Sequence, residues 1–114
     1  MSRQRGYIYD GFLRDLPDDP KPVLVVSADP VNRGMQPIVA QVTTTERVRA
    51  LPTYVVLEAG EGGVRQRSWI LCHELATLDD DDISERPWGP MIPHQKLIEV
   101  ERALMNALDV PYDP

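Results

Sequence analysis

Residues 22–27 read Pro-Val-Leu-Val-Val-Ser, with four apolar β-branched or leucyl side chains in unbroken succession. Successive side chains on a strand point to opposite sides of a sheet, so a run without alternation describes a strand buried on both faces. This is also the longest apolar run, and it falls far short of the roughly 18 residues a membrane helix needs. The opening "MSRQRGYIYDG" carries no apolar core of the secretory type, so neither a span nor a signal peptide is expected.

Four further segments share the bulky, β-branched character of strands: "GYIYDGFL" at 6–13, "PIVAQVT" at 37–43, "TYVVLE" at 53–58 and "RSWILCHEL" at 67–75. The stretches between them read as connections. "RDLPDDPKP" is a proline- and aspartate-rich loop, "ADPVNRGMQ" is turn-rich, and "AGEGG" is a flexible turn. Beyond the fifth strand, "TLDDDDISERPWGPMIP" is acidic and proline-rich, with one helical turn expected at 79–85 and a short edge strand near Gly89. The tail is periodic: Leu97, Val100, Leu104 and Leu108 line one stripe, widened by Ile98, Met105 and Ala107, and this spacing predicts an amphipathic helix. Pro93 suits its first turn and Pro111 lies past its end. Five or six short strands and one C-terminal helix in 114 residues predict a single domain, mainly β, with the helix covering one face of a curled antiparallel sheet that is nearly a small barrel.

The net charge of −6 is unevenly spread. Residues 1–68 carry nine Lys/Arg against eight Asp/Glu, whereas residues 69–114 carry three against ten. The acidity therefore belongs to the C-terminal part, and the N-terminal strands are free to build a locally positive surface. The one cysteine, Cys72, cannot form an intrachain disulfide, which fits a reducing, cytoplasmic setting.

Several residues invite chemistry. Thr43, Thr44 and Thr45 follow one another where the third strand ends, and alternation places Thr43 and Thr45 on one face with Thr44 opposed. His73 is a candidate for proton transfer, imidazole being the side chain suited to acid–base work near neutral pH; beside it, Cys72 points to the other face and reads as core. The run Asp79–Asp82 lacks the spaced ligands and glycine of a calcium loop and reads as a solvated turn. Trp69 and Trp88 are each a candidate for stacking on bases, with packing in the fifth strand the stronger reading for Trp69 and a protein interface that for Trp88, set between prolines; His94 reads as a surface residue opening the helix.

The order of "RGYIY" at 5–9, "KPVLVVSADPVNR" at 21–33, "VAQVTTT" at 39–45, "LPTYVVLE" at 51–58, "SWILCHELATLD" at 68–79 and "LIEVERALMNAL" at 97–108 resembles the MazF/PemK family of bacterial toxins. The resemblance covers nearly the whole chain and implies a CcdB-like, SH3-type barrel. It also implies a metal-independent endoribonuclease without cofactor, acting on single-stranded RNA as a cytoplasmic homodimer and blocked by a cognate antitoxin. The catalytic positions it implies are Lys21, where most of the family has arginine, and Thr43, with His73 at a place where some relatives carry an acidic residue facing RNA. Thr44, Thr45, Arg47, Arg49 and Glu74 are the implied RNA contacts. Two departures stand out: the first loop is short and lacks a Gly-x-Glu-Gln element, and "HELATLD" has Ala76 where relatives have arginine. Two rival readings accompany this one, a non-enzymatic CcdB-like topoisomerase poison and an inactive SH3-like interaction module.

Overall fold

The computed structural model describes residues 3–14, 16–46 and 50–112, with backbone alone at 16 and 17. Its elements are β1 (Ile8–Leu13), β2 (Leu16–Val25), α1 (Asp29–Arg33), β3 (Ile38–Thr43), β4 (Tyr54–Leu57), β5 (Ser68–Thr77) and α2 (His94–Ala107). The strands form one antiparallel sheet in the order β1-β2-β3-β5-β4.

The unbroken apolar run is buried on both faces, as its pattern predicts. Leu24 belongs to a cluster with Ile8, Ala40, Val42, Val55, Ile70 and Cys72, closed by Leu97, Val100 and Ala103 of α2. Val23 and Val25 point the other way, into a second cluster with Tyr9, Val39, Leu78 and Ile83. Full burial of side chains of this size is worth roughly 1.5–3 kcal/mol each, so both layers hold β2 in place. The helix therefore covers the inner face, and the chain after β5 wraps back under the outer one. At Gly11 the wrap leaves no space: a Cβ there would stand 2.9 Å from Val23 Cγ2 and 3.0 Å from Leu78 Cδ1.

Three local expectations are corrected. The proline-rich segment taken as a loop is the first half of β2, joined to β1 by a tight hairpin in which Leu13 faces Leu16. Proline is at ease in extended backbone, and β2 pairs with β3 only from Val23 onward, so few ladder bonds are lost to the missing N–H groups. The turn after β2 holds a short helix, α1, with proline in its first turn. Buried Ser27 and Asn32 fix it: the Ser27 hydroxyl donates to Asn32 Oδ1 and accepts the Ile38 N–H at 2.9 Å, while Asn32 Nδ2 donates to the Ser27 carbonyl at 3.1 Å. Near Gly89 there is no strand. Instead the segment 84–92 runs along the outer edge of β1, with N–H groups of Ser84, Trp88 and Ile92 donating to the carbonyls of Asp10, Ile8 and Gly6 at 2.8, 2.7 and 2.9 Å. Pro87 and Pro90 keep this from becoming a regular ladder, and a single bridge, Gly11–Ile83, remains.

The acidic run forms a 3₁₀ turn at Asp80–Asp82. Buried Arg3 reaches it, its guanidinium donating to the Asp80 carboxylate and, at 2.6 Å, to the Ile83 carbonyl. Gln36 donates to Asp79 at 3.0 Å. These aspartates thus anchor the wrap-around segment to the rest of the molecule.

Candidate active site

The β2–β3 ladder runs through Val25–Val39, Leu24–Ala40 and Val23–Gln41 and then stops, because Pro22 has no N–H to continue it. Lys21 and Thr43 each lie two residues past the last pair, on the continuations of β2 and β3 that no longer pair with each other. Lys21 faces Gly11 across its other side. Its side chain is about one-third exposed, with Nζ 2.9 Å from Asp19 Oδ2. The Thr43 hydroxyl accepts the Thr45 N–H at 3.2 Å, which leaves its own proton available to a guest. Thr44 and Thr45 are exposed. Arg47 and Arg49 lie outside the described residues.

Alternation puts Lys21, Val23 and Val25 of β2 on the same outer face as Val39, Gln41 and Thr43 of β3. A groove of about 480 Å³ crosses that face, floored by Val23, Val39 and Gln41 and walled by Arg14 on one side and by Glu74–Leu78 on the other. Lys21 and Thr43 share this outer face by alternation but are not among the residues that line the groove. A cation and a hydroxyl donor on one face suit an anionic tetrahedral group such as a phosphodiester.

His73 is not brought to this pair. Thr43 faces Trp69 on β5, and His73 lies four residues further along, roughly 13 Å at strand rise. The register jumps between Gln41–Leu71 and Ala40–Leu75, leaving Cys72, His73 and Glu74 without partners on β3. In that bulge His73 is exposed, its Nδ1 is 2.8 Å from Thr53 Oγ1, and its ring centroid is 5.5 Å from that of Tyr54. Glu74 lines the outer groove. Cys72 points inward to the core, and burial pushes its thiol up from 9.0 to about 12.

Sequence reasoning missed the turn after β4. On the inner face at the same end of the sheet, a second pocket of about 540 Å³ is lined by Asp10, Thr44, Arg65, Gln66, Ser68 and Trp88, among others. Trp88 is 39% exposed and donates from Nε1 to Asp10 Oδ1 at 2.9 Å. Gly63 makes this pocket possible. Its φ is +91°, and a Cβ there would lie 2.6 Å from the Trp88 carbonyl group. The cue in the sequence was "VRQRS", two arginines flanking a glutamine directly after a glycine turn.

Residues 9–108 match the family described as the PemK-like, MazF-like toxin of type II toxin-antitoxin systems. The chain belongs to this toxin family. Among solved structures, a mycobacterial endoribonuclease in complex with its cognate antitoxin is 25% identical, with a TM-score of 0.81, and the alignment covers 98% of this chain and all of that one. The Mycobacterium tuberculosis toxin MazF-mt6 is 28% identical, with a TM-score of 0.77 over 93% of this chain and 99% of its own. The MazE–MazF complex of Deinococcus radiodurans shares the fold at 21% identity, with a TM-score of 0.73 over 97% and 99%. No curated protein matches the sequence. Within this PemK/MazF-type toxin the departures seen in the sequence acquire places. Lys21 lies in β2 opposite Gly11 and beside Asp19, and half-buried Ala76 lines the groove where an arginine would have added charge. Among the described residues no helix is long and apolar enough to cross a membrane.

Proposed function

We propose that this toxin is a sequence-selective endoribonuclease that cleaves single-stranded RNA without a metal, works as a homodimer in the cytoplasm, and is silenced by a cognate antitoxin. What supports the reading is that strand alternation puts Lys21 and Thr43 on the same outer face as the groove, a cation and a hydroxyl of the kind that suits a phosphodiester. The neighbours that are endoribonucleases, one of them held by its antitoxin, support it. The topoisomerase-poison and inactive-module readings gain nothing from these neighbours.

In this mechanism the RNA 2′-hydroxyl attacks the adjacent phosphorus, giving a 2′,3′-cyclic phosphate and a 5′-hydroxyl. Thr43 donates to a non-bridging oxygen as charge gathers there, and the Lys21 ammonium neutralises it. Asp19 takes the proton of the 2′-hydroxyl. Lys21 gives one to the departing 5′-oxygen and is reprotonated from Asp19 across their 2.9 Å contact. His73 and Glu74 touch the strand beyond the scissile phosphate, together with Thr44, Thr45, Arg47 and Arg49 as backbone contacts. Splayed bases of single-stranded RNA fit an open face bordered by loops.

The test is incubation of purified protein with mixed-sequence RNA in chelator. Products should carry 5′-hydroxyl ends that polynucleotide kinase labels directly, and Lys21→Ala and Thr43→Ala should abolish them. Absence of cleavage on every RNA, or cleavage undiminished in both variants, would overturn the proposal.

A further inference from the structure

We infer that Trp69 is the platform on which the nucleobase beside the scissile phosphate stacks, a role that rests on the nuclease reading above. Trp69 stands directly across from Thr43 in the β3–β5 register, with Val56 of β4 on its other side. Directly opposed residues have Cβ atoms about 5 Å apart, so a phosphate held by Thr43 places its attached nucleoside within reach of the indole.

The burial pattern sets this tryptophan apart. Its sequence neighbours Ser68 and Ile70 are buried, whereas Trp69 is only half-buried and joins neither apolar cluster. It faces outward with Thr43 and, through the shared alternation, with Lys21. Arg67 fixes it from one side: the guanidinium carbon lies 5.7 Å from the ring centroid, and Nε is 3.6 Å from Glu58 Oε1. A ring steadied by a cation that itself lies near the expected path of a phosphate backbone is the arrangement by which single-stranded nucleic acid is held, one base per aromatic face. A tryptophan serving the core alone would carry its ring into one of the two clusters.

The experiment begins by mapping cleavage sites on mixed-sequence RNA, then remaking one site with a 2′-fluoro nucleotide so that it binds without reacting. In Trp88→Phe protein, Trp69 is the remaining one of the two tryptophans, and its fluorescence should be quenched as this oligonucleotide is titrated. Trp69→Leu should weaken oligonucleotide binding and lower kcat/KM by roughly ten- to a hundredfold, while Trp69→Phe, which keeps an aromatic face, should recover most of both. Unchanged fluorescence on saturation, or Trp69→Leu protein that binds and cleaves like the parent, would overturn the platform while leaving the nuclease intact. Failure of the parent protein to cut any RNA would remove both. Should Trp69→Leu not fold, the quenching titration decides alone.

Discussion

The sharpest consequence of the site concerns a single oxygen atom. Replacing Thr43 by valine keeps the β-branched shape and removes the hydroxyl. Two contacts disappear: the 3.2 Å bond from the Thr45 N–H, and the donor assigned to the phosphoryl oxygen. The first is exposed, and its net worth is about 0.5–1 kcal/mol. For a chain of this size that lowers Tm by a few degrees and leaves the folded fraction near unity at assay temperature, given typical stabilities of about 5–15 kcal/mol. The second is a transition-state contact, and losing one such donor slows turnover on the order of 10²–10³-fold. The two effects are therefore separable: turnover should collapse while the melting curve barely moves. Initial rates on a fluorogenic RNA containing a mapped cleavage site, measured alongside thermal melts, check this. Thr43→Ser, which retains the hydroxyl, should stay within about tenfold of the parent, the remainder reflecting a less rigid χ1. A valine variant that turns over at the parental rate, or a serine variant as slow as valine, would refute the role given to this oxygen.

Other outcomes follow from the same coordinates. Lys21→Arg keeps the charge but cannot release a proton, so kcat should fall on the order of 10–10²-fold with KM little altered; full activity would mean that charge alone suffices. Asp19→Asn removes the proton acceptor and should lower kcat on the order of 10²-fold in initial-rate assays, and a parental kcat would exclude Asp19 from the proposed role. Gly11→Ala drives a methyl into Val23 and Leu78 and should lower stability by roughly 1–3 kcal/mol in urea melts, a neutral result contradicting the close approach. Cys72 holds its proton to about pH 12 in the native chain and releases it from 9.0 when unfolded. The unfolded chain therefore binds fewer protons in that window, and stability should fall as pH rises through it. Cys72→Val lacks this contribution, so the urea midpoint of the parent should fall more steeply with pH than that of the variant.

The β architecture was legible because its signals are local. The unbroken Val-Leu-Val-Val run announced burial on two sides, and the leucine spacing from 97 to 108 announced the helix. Prolines misled, since "LPDDP" has the composition of a loop yet satisfies extended backbone wherever no partner needs its N–H groups. The segment near Gly89 was read as a strand because it does pair with β1, through isolated bonds set by residues far apart in sequence. The site was less legible than the fold. Lys21 and Thr43 were named from family resemblance, and the outer face they share follows from a register that no local pattern encodes. His73 was grouped with them for its imidazole and its family position; the bulge that separates it from Thr43 along β5 has no sequence signature. Trp69 was assigned to packing because tryptophan in a strand usually packs; only the exposure beside Thr43 separates it from the core.

The segment laid along β1 has a consequence for when toxicity can begin. Bonds from Ser84, Trp88 and Ile92 reach back to Asp10, Ile8 and Gly6, 74 to 86 positions earlier, so the outer edge of β1 stays uncovered while the nascent polypeptide is still short. At ordinary elongation rates of about 5–20 residues per second, several seconds separate the emergence of the two partners. A nascent chain that stops short of Ser84 lacks all three donors, so its β1 edge stays bare and the toxin fold is incomplete.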